Sequence, residues 1–325
     1  MKVLLLNPPF PMEARYGKGL KGIGTVLPPL GILYVAASLE KNGYEVAVLD
    51  AELHELGIEE TVQRIEKIRP DIVGITCSTS NFYRCVALSK KLKERLDAAI
   101  ILGGPHTSVM PKEILKEKEI DFIVIGEGDL TTVELLNALK DGRELKNIKG
   151  IGYKEAGEIK INEKAEFIKN LDELPFPARH LVDLRTYEPS PNHYKETPYT
   201  TMVASRGCPF ACTFCNSSAI WRQRYRQRSV GNVIEEIKFL IKEYGIKDIG
   251  FWDDVFGINK KWINEFCNAL KQQGIKINWS CEMRVDGVDK ETLKNMKEAG
   301  CWCIFYGVES MEQDILDAIE KKGYC

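Results

Sequence analysis

The stretch Ser205-Arg206-Gly207-Cys208-Pro209-Phe210-Ala211-Cys212-Thr213-Phe214-Cys215 puts three cysteines within eight residues, spaced C-x3-C-x2-C, just after an apolar strand pattern at 199–204. Three thiolates on one loop can hold three irons of a cubane [4Fe–4S] cluster and leave the fourth iron without a protein ligand. Zinc is the plainer alternative, but structural zinc takes four closed ligands in paired short spacings, and no fourth Cys or His follows nearby. A redox-active or structural group of thiols is the third reading. The aromatic at Phe214 and the position behind a strand favour the cluster.

Outward from this loop, strand patterns recur at 248–252, 277–281 and 302–307, separated by helical patterns at 230–244, 260–273 and 290–299, with a last helix starting near Met311. Such βαβα alternation makes a parallel sheet or a barrel. The first half alternates in the same way. Strands are expected at 2–7, 45–50, 71–76, 99–103 and 121–125, with helices at 30–42, 58–68, 81–96, 111–117 and 130–139. Parallel neighbours need crossovers, so this half is a doubly wound, mostly parallel sheet. Its strands end in Asn7-Pro8-Pro9, Cys77-Ser78-Thr79-Ser80, Gly103-Gly104-Pro105-His106 and Gly126-Glu127-Gly128. Open α/β sheets bind ligands outside these carboxyl ends, and glycines there let backbone approach a bulky ligand. A hairpin follows at 148–162, then a proline-rich segment. The expected domains are 1–162, a linker at 163–197, and 198–325.

The 325 residues carry 45 basic and 47 acidic side chains. A net charge of −2 excludes a generally basic nucleic-acid binder, leaving only a local patch such as Trp221-Arg222-Gln223-Arg224-Tyr225-Arg226-Gln227-Arg228. No apolar run reaches the ~18 residues of a membrane span, and the N-terminal apolar run is too short for a secretory signal. A cytoplasmic location and no membrane partner are therefore expected. Ten cysteines are unusual for such a chain. Cys77, Cys85, Cys267, Cys281, Cys301 and Cys303 fall in or near apolar elements and read as core residues. The thiols of Cys301 and Cys303 are expected on one face of their strand, where an auxiliary cluster is the weaker alternative.

The cysteine loop resembles the signature of the radical S-adenosylmethionine (SAM) superfamily, C-x3-C-x-aromatic-C after the first strand of a partial (β/α) barrel. The resemblance implies that Cys208, Cys212 and Cys215 ligate a [4Fe–4S] cluster and that Phe214 lies beside the SAM adenine. Gly250-Phe251-Trp252-Asp253-Asp254, Cys281-Glu282-Met283-Arg284-Val285-Asp286 and Tyr306-Gly307-Val308-Glu309-Ser310 look like the ends of the family's next strands. It assigns Asp253, Arg284 and Glu309 polar contacts to bound SAM, although each could instead cap a helix or pair with a neighbour.

The rim motifs of the first half, with Pro28-Pro29-Leu30-Gly31 and the segment Leu171-Asp172-Glu173-Leu174-Pro175-Phe176-Pro177, resemble the cobalamin-binding domain of one radical SAM subfamily. That resemblance implies cobalamin contacts from Asn7, Pro8, Ser78, Thr79, Gly104, His106, Gly126, Glu127 and Gly128. The cobalt-ligating motif D-x-H-x-x-G is missing from the loop after the first strand. Its near match, Glu52-Leu53-His54-Glu55-Leu56-Gly57, lies after the second strand and reads as coincidence. His106 reads as a hydrogen-bonding rim residue.

The implied chemistry is methyl transfer to an unactivated carbon, using SAM, the cluster and cobalamin. A cobalamin-dependent radical cyclase or rearrangement enzyme is the alternative, and a non-catalytic cofactor-binding fragment a further one. The implied partners are a small-molecule or natural-product substrate and an external electron donor. The arginine-rich stretch reads as meeting anionic groups of the cofactors rather than RNA. The transfer-RNA methylthiotransferases carry a second three-cysteine set in their first domain, and here that domain has only Cys77 and Cys85. Four β/α units are counted after residue 198 against six in the family's barrel, so an incomplete barrel and a truncated chain are expected.

Overall fold

The computed structural model describes residues 1–17 and 25–321. The chain divides into two compact units. One comprises Met1–Ile168 with Leu174–Tyr187; the other comprises Lys169–Glu173 and the chain from Glu188 onward. Part of the proline-rich stretch thus groups with each unit.

Unit 1 is built on a seven-stranded sheet. Its strands are β1 (Lys2–Asn7), β2 (Glu45–Asp50), β3 (Ile72–Thr76), β4 (Ala99–Gly103), β5 (Phe122–Val124), β6 (Ile151–Glu155) and β7 (Glu158–Ile161). They lie in the order β2-β1-β3-β4-β5-β6-β7. The first five are parallel, and the β6–β7 hairpin adds antiparallel to β5. Lys-Val-Leu-Leu-Leu-Asn forms β1 because a parallel strand covered on both faces calls for a continuous apolar run. Its side chains alternate between two cores. Leu4 and Leu6 pack with α3 (Ile58–Ile68) and α4 (Phe82–Arg95), and Val3 and Leu5 with α2 (Leu30–Lys41) and α7 (Gly128–Asp141). Helices cover both faces, as a doubly wound sheet requires.

The expected helix at 111–117 is α6 (Pro111–Leu115), and a short helix not expected there, α5 (Pro105–Val109), precedes it after the β4 rim glycines. Each starts with proline, which suits a first turn and cannot continue a preceding helix. The hairpin turns on Ala156 and Gly157, both at positive φ, as a tight two-residue loop demands. A short helix, α1 (Met12–Tyr16), follows β1.

Unit 2 contains a parallel sheet ordered β13-β12-β11-β8, from β8 (Tyr199–Met202), β11 (Asp248–Phe251), β12 (Asn278–Met283) and β13 (Cys301–Tyr306). Each strand lies beside its predecessor, so the crossovers through α9 (Val230–Tyr244), α10 (Lys260–Gln272) and α11 (Lys290–Glu298) all step the same way. That progression is the start of a (β/α) barrel. A two-residue ribbon, β9 (Ser205–Arg206) with β10 (Arg226–Gln227), brackets the cysteine loop and α8 (Ser217–Trp221). α12 (Gln313–Ala318) follows β13.

The N-termini of α9, α10 and α11 are capped by Ser229, Asn259 and Asp289, whose side chains accept backbone N–H groups of the first turn. Packing under the sheet is aromatic. Phe251, Phe256, Trp262, Phe266 and Trp279 touch at ring separations of 4.8–6.3 Å. Among the described residues no helix is long and apolar enough to cross a membrane.

Candidate functional site

The cysteine loop is fixed at both ends by its own backbone. Gly207 has φ +86°, and a Cβ there would lie 2.1 Å from the Arg224 carbonyl oxygen. Only glycine lets the two flanks of the loop approach so closely. Gly207 N–H donates to Asp254 Oδ2 at 3.2 Å, and Thr213 N–H donates to the Ile319 carbonyl at 3.1 Å. Cys208 and Cys212 are half-buried and Cys215 is exposed; all three thiols are free. Ser217 N–H points at Cys215 Sγ at 3.5 Å. Burial pushes the Cys208 thiol above its ordinary pKa, helped by the charges of Asp254, Cys215 and Cys212. Among the described residues no three His, Cys, Asp or Glu side chains are drawn together at metal-ligating distances.

Three strand ends converge on this loop. After β11, Asp253 is 2% exposed. Its carboxylate accepts Ala204 N–H at 3.1 and 3.2 Å and a short bond from the Ser205 hydroxyl. Burial outweighs those bonds and the nearby Arg228 charge, and pushes the Asp253 pKa up to about 7. The acid therefore sits behind the loop and holds its first residues. After β12, the Arg284 guanidinium lies 3.9 Å from the Phe210 ring centre and forms a two-pronged pair with Asp286 at 2.9 Å. After β13, Glu309 accepts Lys321 Nζ at 2.7 Å, and that ammonium stands 5.7 Å from the ring centre of Phe214, which is 54% exposed. Arg284 and Glu309 thus reach the loop through its aromatics.

In unit 1 the rim residues lie at the carboxyl ends of β1, β3, β4 and β5. The chain runs from β1 out to β2 and back across to β3, so the sheet's switch point lies between β1 and β3, the place where open α/β sheets take ligands. Asn7 donates to Asp50 at 2.8 Å and Glu52 at 3.3 Å, and buried Pro8 follows it. Thr79 Oγ1 and His106 Nδ1 are 3.0 Å apart, and the imidazole packs 4.8 Å from Phe82. Burial lowers the His106 pKa, so the ring is neutral at pH 7. Ser78 N–H is taken by Asn81. Gly104, at φ +98°, lies so close to β3 that a Cβ would meet Cys77 backbone at 2.9–3.0 Å. Gly103 and Gly126 face open space. Glu127 accepts Ile168 N–H at 2.9 Å, and Gly128 starts α7 against Val35. His54 is exposed in the turn after β2.

Residues 20–136 match the B12 binding domain family and residues 202–324 the Radical SAM superfamily. An uncharacterized methyltransferase of Pyrococcus horikoshii is 38% identical over 323 residues, covering 99% of this chain and 68% of that protein. The chain belongs to the cobalamin-binding-domain radical SAM enzyme family. Another relative, the anaerobic magnesium-protoporphyrin IX monomethyl ester cyclase of a Synechocystis strain, is 32% identical over 328 residues, covering 99% of this chain and 63% of the cyclase. Among solved structures, the radical SAM methyltransferase TsrM of Kitasatospora setae, with tryptophan and a SAM analogue bound, superposes with a TM-score of 0.79. The identity there is 20%, over the whole of this chain and 62% of TsrM. The chain spans about two thirds of the length of these relatives.

For a radical SAM protein the loop has a suitable donor set: three free thiols on one backbone-locked turn, with an N–H directed at one sulfur. The rim likewise has glycines at open positions where a flat macrocycle could meet backbone. Sequence reasoning missed Phe210, Lys321 and Asp254. Phe210 and Lys321 act through contacts between segments 74 and 107 residues apart along the chain, which no local spacing reveals. Asp254 was legible in principle, as the second acid of an Asp-Asp pair at a strand end.

Proposed function

We propose that this chain forms the cofactor-binding part of a cobalamin-dependent radical SAM enzyme that methylates an unactivated carbon of a small-molecule or natural-product substrate. The observation that carries the reading is the convergence of three barrel-strand ends on the cysteine loop, in a chain whose first unit offers a glycine-lined rim at its switch point. Cys208, Cys212 and Cys215 would ligate a [4Fe–4S] cluster, and Thr79, His106 and the backbone at Gly104 and Gly126 would meet cobalamin. When bound, the cluster delivers the electron that breaks a carbon–sulfur bond of SAM, and cobalamin carries the methyl group.

The chain's own residues do the positioning. Asp254 and the Thr213–Ile319 bond fix the loop that would hold the cluster. Arg284 and Lys321 place two cations over Phe210 and Phe214, where a SAM carboxylate could be received. Glu309 offers a carboxylate to its ammonium. His106, held neutral by burial, keeps Thr79 in place and can accept a hydrogen bond from a ligand amide.

Identity to the magnesium-protoporphyrin ester cyclase favours a second reading, ring closure on the same architecture. Anaerobic reconstitution followed by product analysis separates the two. 5′-Deoxyadenosine with S-adenosylhomocysteine supports methyl transfer, deoxyadenosine alone supports cyclisation, and neither product removes the enzymatic reading.

A further inference from the structure

The two faces of the unit 2 sheet are lined differently. Side chains alternate along a strand. Phe251 and Trp279 pack with Phe266 of α10, and Cys281 is buried on that same side. Gly250, Trp252, Ser280 and Glu282 therefore lie on the opposite, inner face. Phe305 of β13 is the register partner of Glu282 and shares that face. On the other side Phe251 pairs with Cys281, so Trp252 is the next residue along, level with Glu282. The carboxylate thus stands between aromatic side chains carried by the two flanking strands.

His193, from the segment that leads into β8, spans those two rings. Its imidazole meets Trp252 at a ring separation of 5.5 Å and Phe305 at 5.7 Å, edge to face in both. Tyr199 supports the same wall. Its hydroxyl accepts the Trp252 indole N–H at 3.2 Å, directly over Gly250, where a Cβ would lie 2.2 Å from the hydroxyl oxygen. All of these residues belong to unit 2.

Two polar groups in this cup have nothing to bind. His193 Nδ1 is buried without a hydrogen-bond partner. The exposed Glu282 carboxylate makes no hydrogen bond or ion pair among the described residues. Burial and the charge of Asp254 push its pKa up, as they do for a carboxylate that lacks a cation. Trp252 is 40% exposed, so a ligand can reach its ring. A carboxylate beside open aromatic rings is a set that recognises an ammonium group, because the acid and the ring quadrupole attract the same charge. The rings also take up the apolar skeleton that carries it.

We propose that this cup is the substrate site, and that it takes an amine whose ammonium meets Glu282 while its apolar skeleton lies against Trp252 and Phe305. The inference rests on the functional reading above, since it names the substrate class of that enzyme. His193 Nδ1 is left for a neighbouring polar group of the same ligand. An alcohol on the same skeleton leaves Glu282 without a counter-charge, and a carboxylate meets it with like charge. SAM is also a cation, so the test separates the two ligands.

The test titrates the chain at pH 7.5 with 2-phenylethylamine, 2-phenylethanol and phenylacetate, three charges on one skeleton. Ligand-observed nuclear magnetic resonance reads the binding. The amine should bind the parent at least about tenfold more tightly than the alcohol or the acid. In Glu282→Gln the amine should fall to the level of the alcohol, whereas Glu282→Asp, which keeps the charge, should keep the order of the three probes. Glu265→Gln, on the exposed side of α10, should leave amine binding within about twofold. In the anaerobically reconstituted chain, saturating SAM should leave the amine bound. The proposal is overturned if the parent shows no preference for the amine, if the Gln variant keeps that preference, or if SAM displaces the amine one for one. The parent's own preference decides the matter even where Glu282→Gln does not fold. A reconstituted chain that cleaves no SAM with dithionite would overturn the functional reading, and the charge preference would still decide whether the cup binds amines.

Discussion

Gly207→Ala tests the loop's geometry most sharply. The methyl group would lie 2.1 Å from the Arg224 carbonyl oxygen and 3.1 Å from Trp221 Cβ, on a backbone held at φ +86°. The first obstacle is main chain, so no rotamer change relieves it. The left-handed conformation costs about 1–2 kcal/mol for alanine, and forced displacement of packed neighbours costs about 1–3 more. The total is about 2–5 kcal/mol, falling on the joint between β9, the cysteine loop and the Arg224 turn. All five tryptophans, Trp221, Trp252, Trp262, Trp279 and Trp302, belong to unit 2, so tryptophan fluorescence during urea unfolding follows that unit. With a urea slope of about 2 kcal/mol/M, the midpoint should drop by about 1–2.5 M. Iron uptake should fall with it. A shift below about 0.3 M with full iron uptake would show that the loop is not held by this contact.

Other outcomes follow from the same contacts. Asp253 has a folded-state pKa near 7, against about 3.9 unfolded, so between those values the folded chain binds the extra proton. Unit 2 should therefore lose stability as pH rises from about 4 through about 7, by at most about 4 kcal/mol from this group. Asp253→Asn should flatten that slope in fluorescence-monitored unfolding at pH 5 and 7.5; an unchanged slope refutes the assignment. Gly104→Ala should push β4's end away from Cys77 and weaken cobalamin retention at least about tenfold by absorbance titration, while the unit 2 transition stays put. Arg284→Lys keeps the charge but loses the planar stack on Phe210 and the two-pronged bond to Asp286, and should weaken SAM binding measured by calorimetry about tenfold. Equal affinity would mean Arg284 serves only its own turn.

The alternation of elements was legible because buried parallel strands need continuous apolar runs, and Lys2–Asn7 is one. The cysteine loop was legible because its chemistry is written in spacing. Other features depend on the folded backbone. The 105–115 region holds two prolines, and periodicity gave the helix that Pro111 starts but not the short one that Pro105 starts. Asp253 lay where a strand-end motif placed it, but its bonds to Ala204 and Ser205 depend on a neighbouring strand about fifty residues away. Lys321 and Phe210 carry no local signal. Their roles arise only when β12 and the segment after α12 close on the loop.

The central claim is that Cys208, Cys212 and Cys215 form one cluster site. Anaerobic reconstitution with iron and sulfide, followed by iron and sulfide analysis and low-temperature electron paramagnetic resonance of the dithionite-reduced chain, tests it directly. About four irons and four sulfides per chain with a reduced-cubane signal that SAM perturbs are expected, and each single Cys→Ala change at these positions should abolish both. A parent chain that holds no iron under these conditions, or a Cys212→Ala chain that keeps the full signal, would contradict the account.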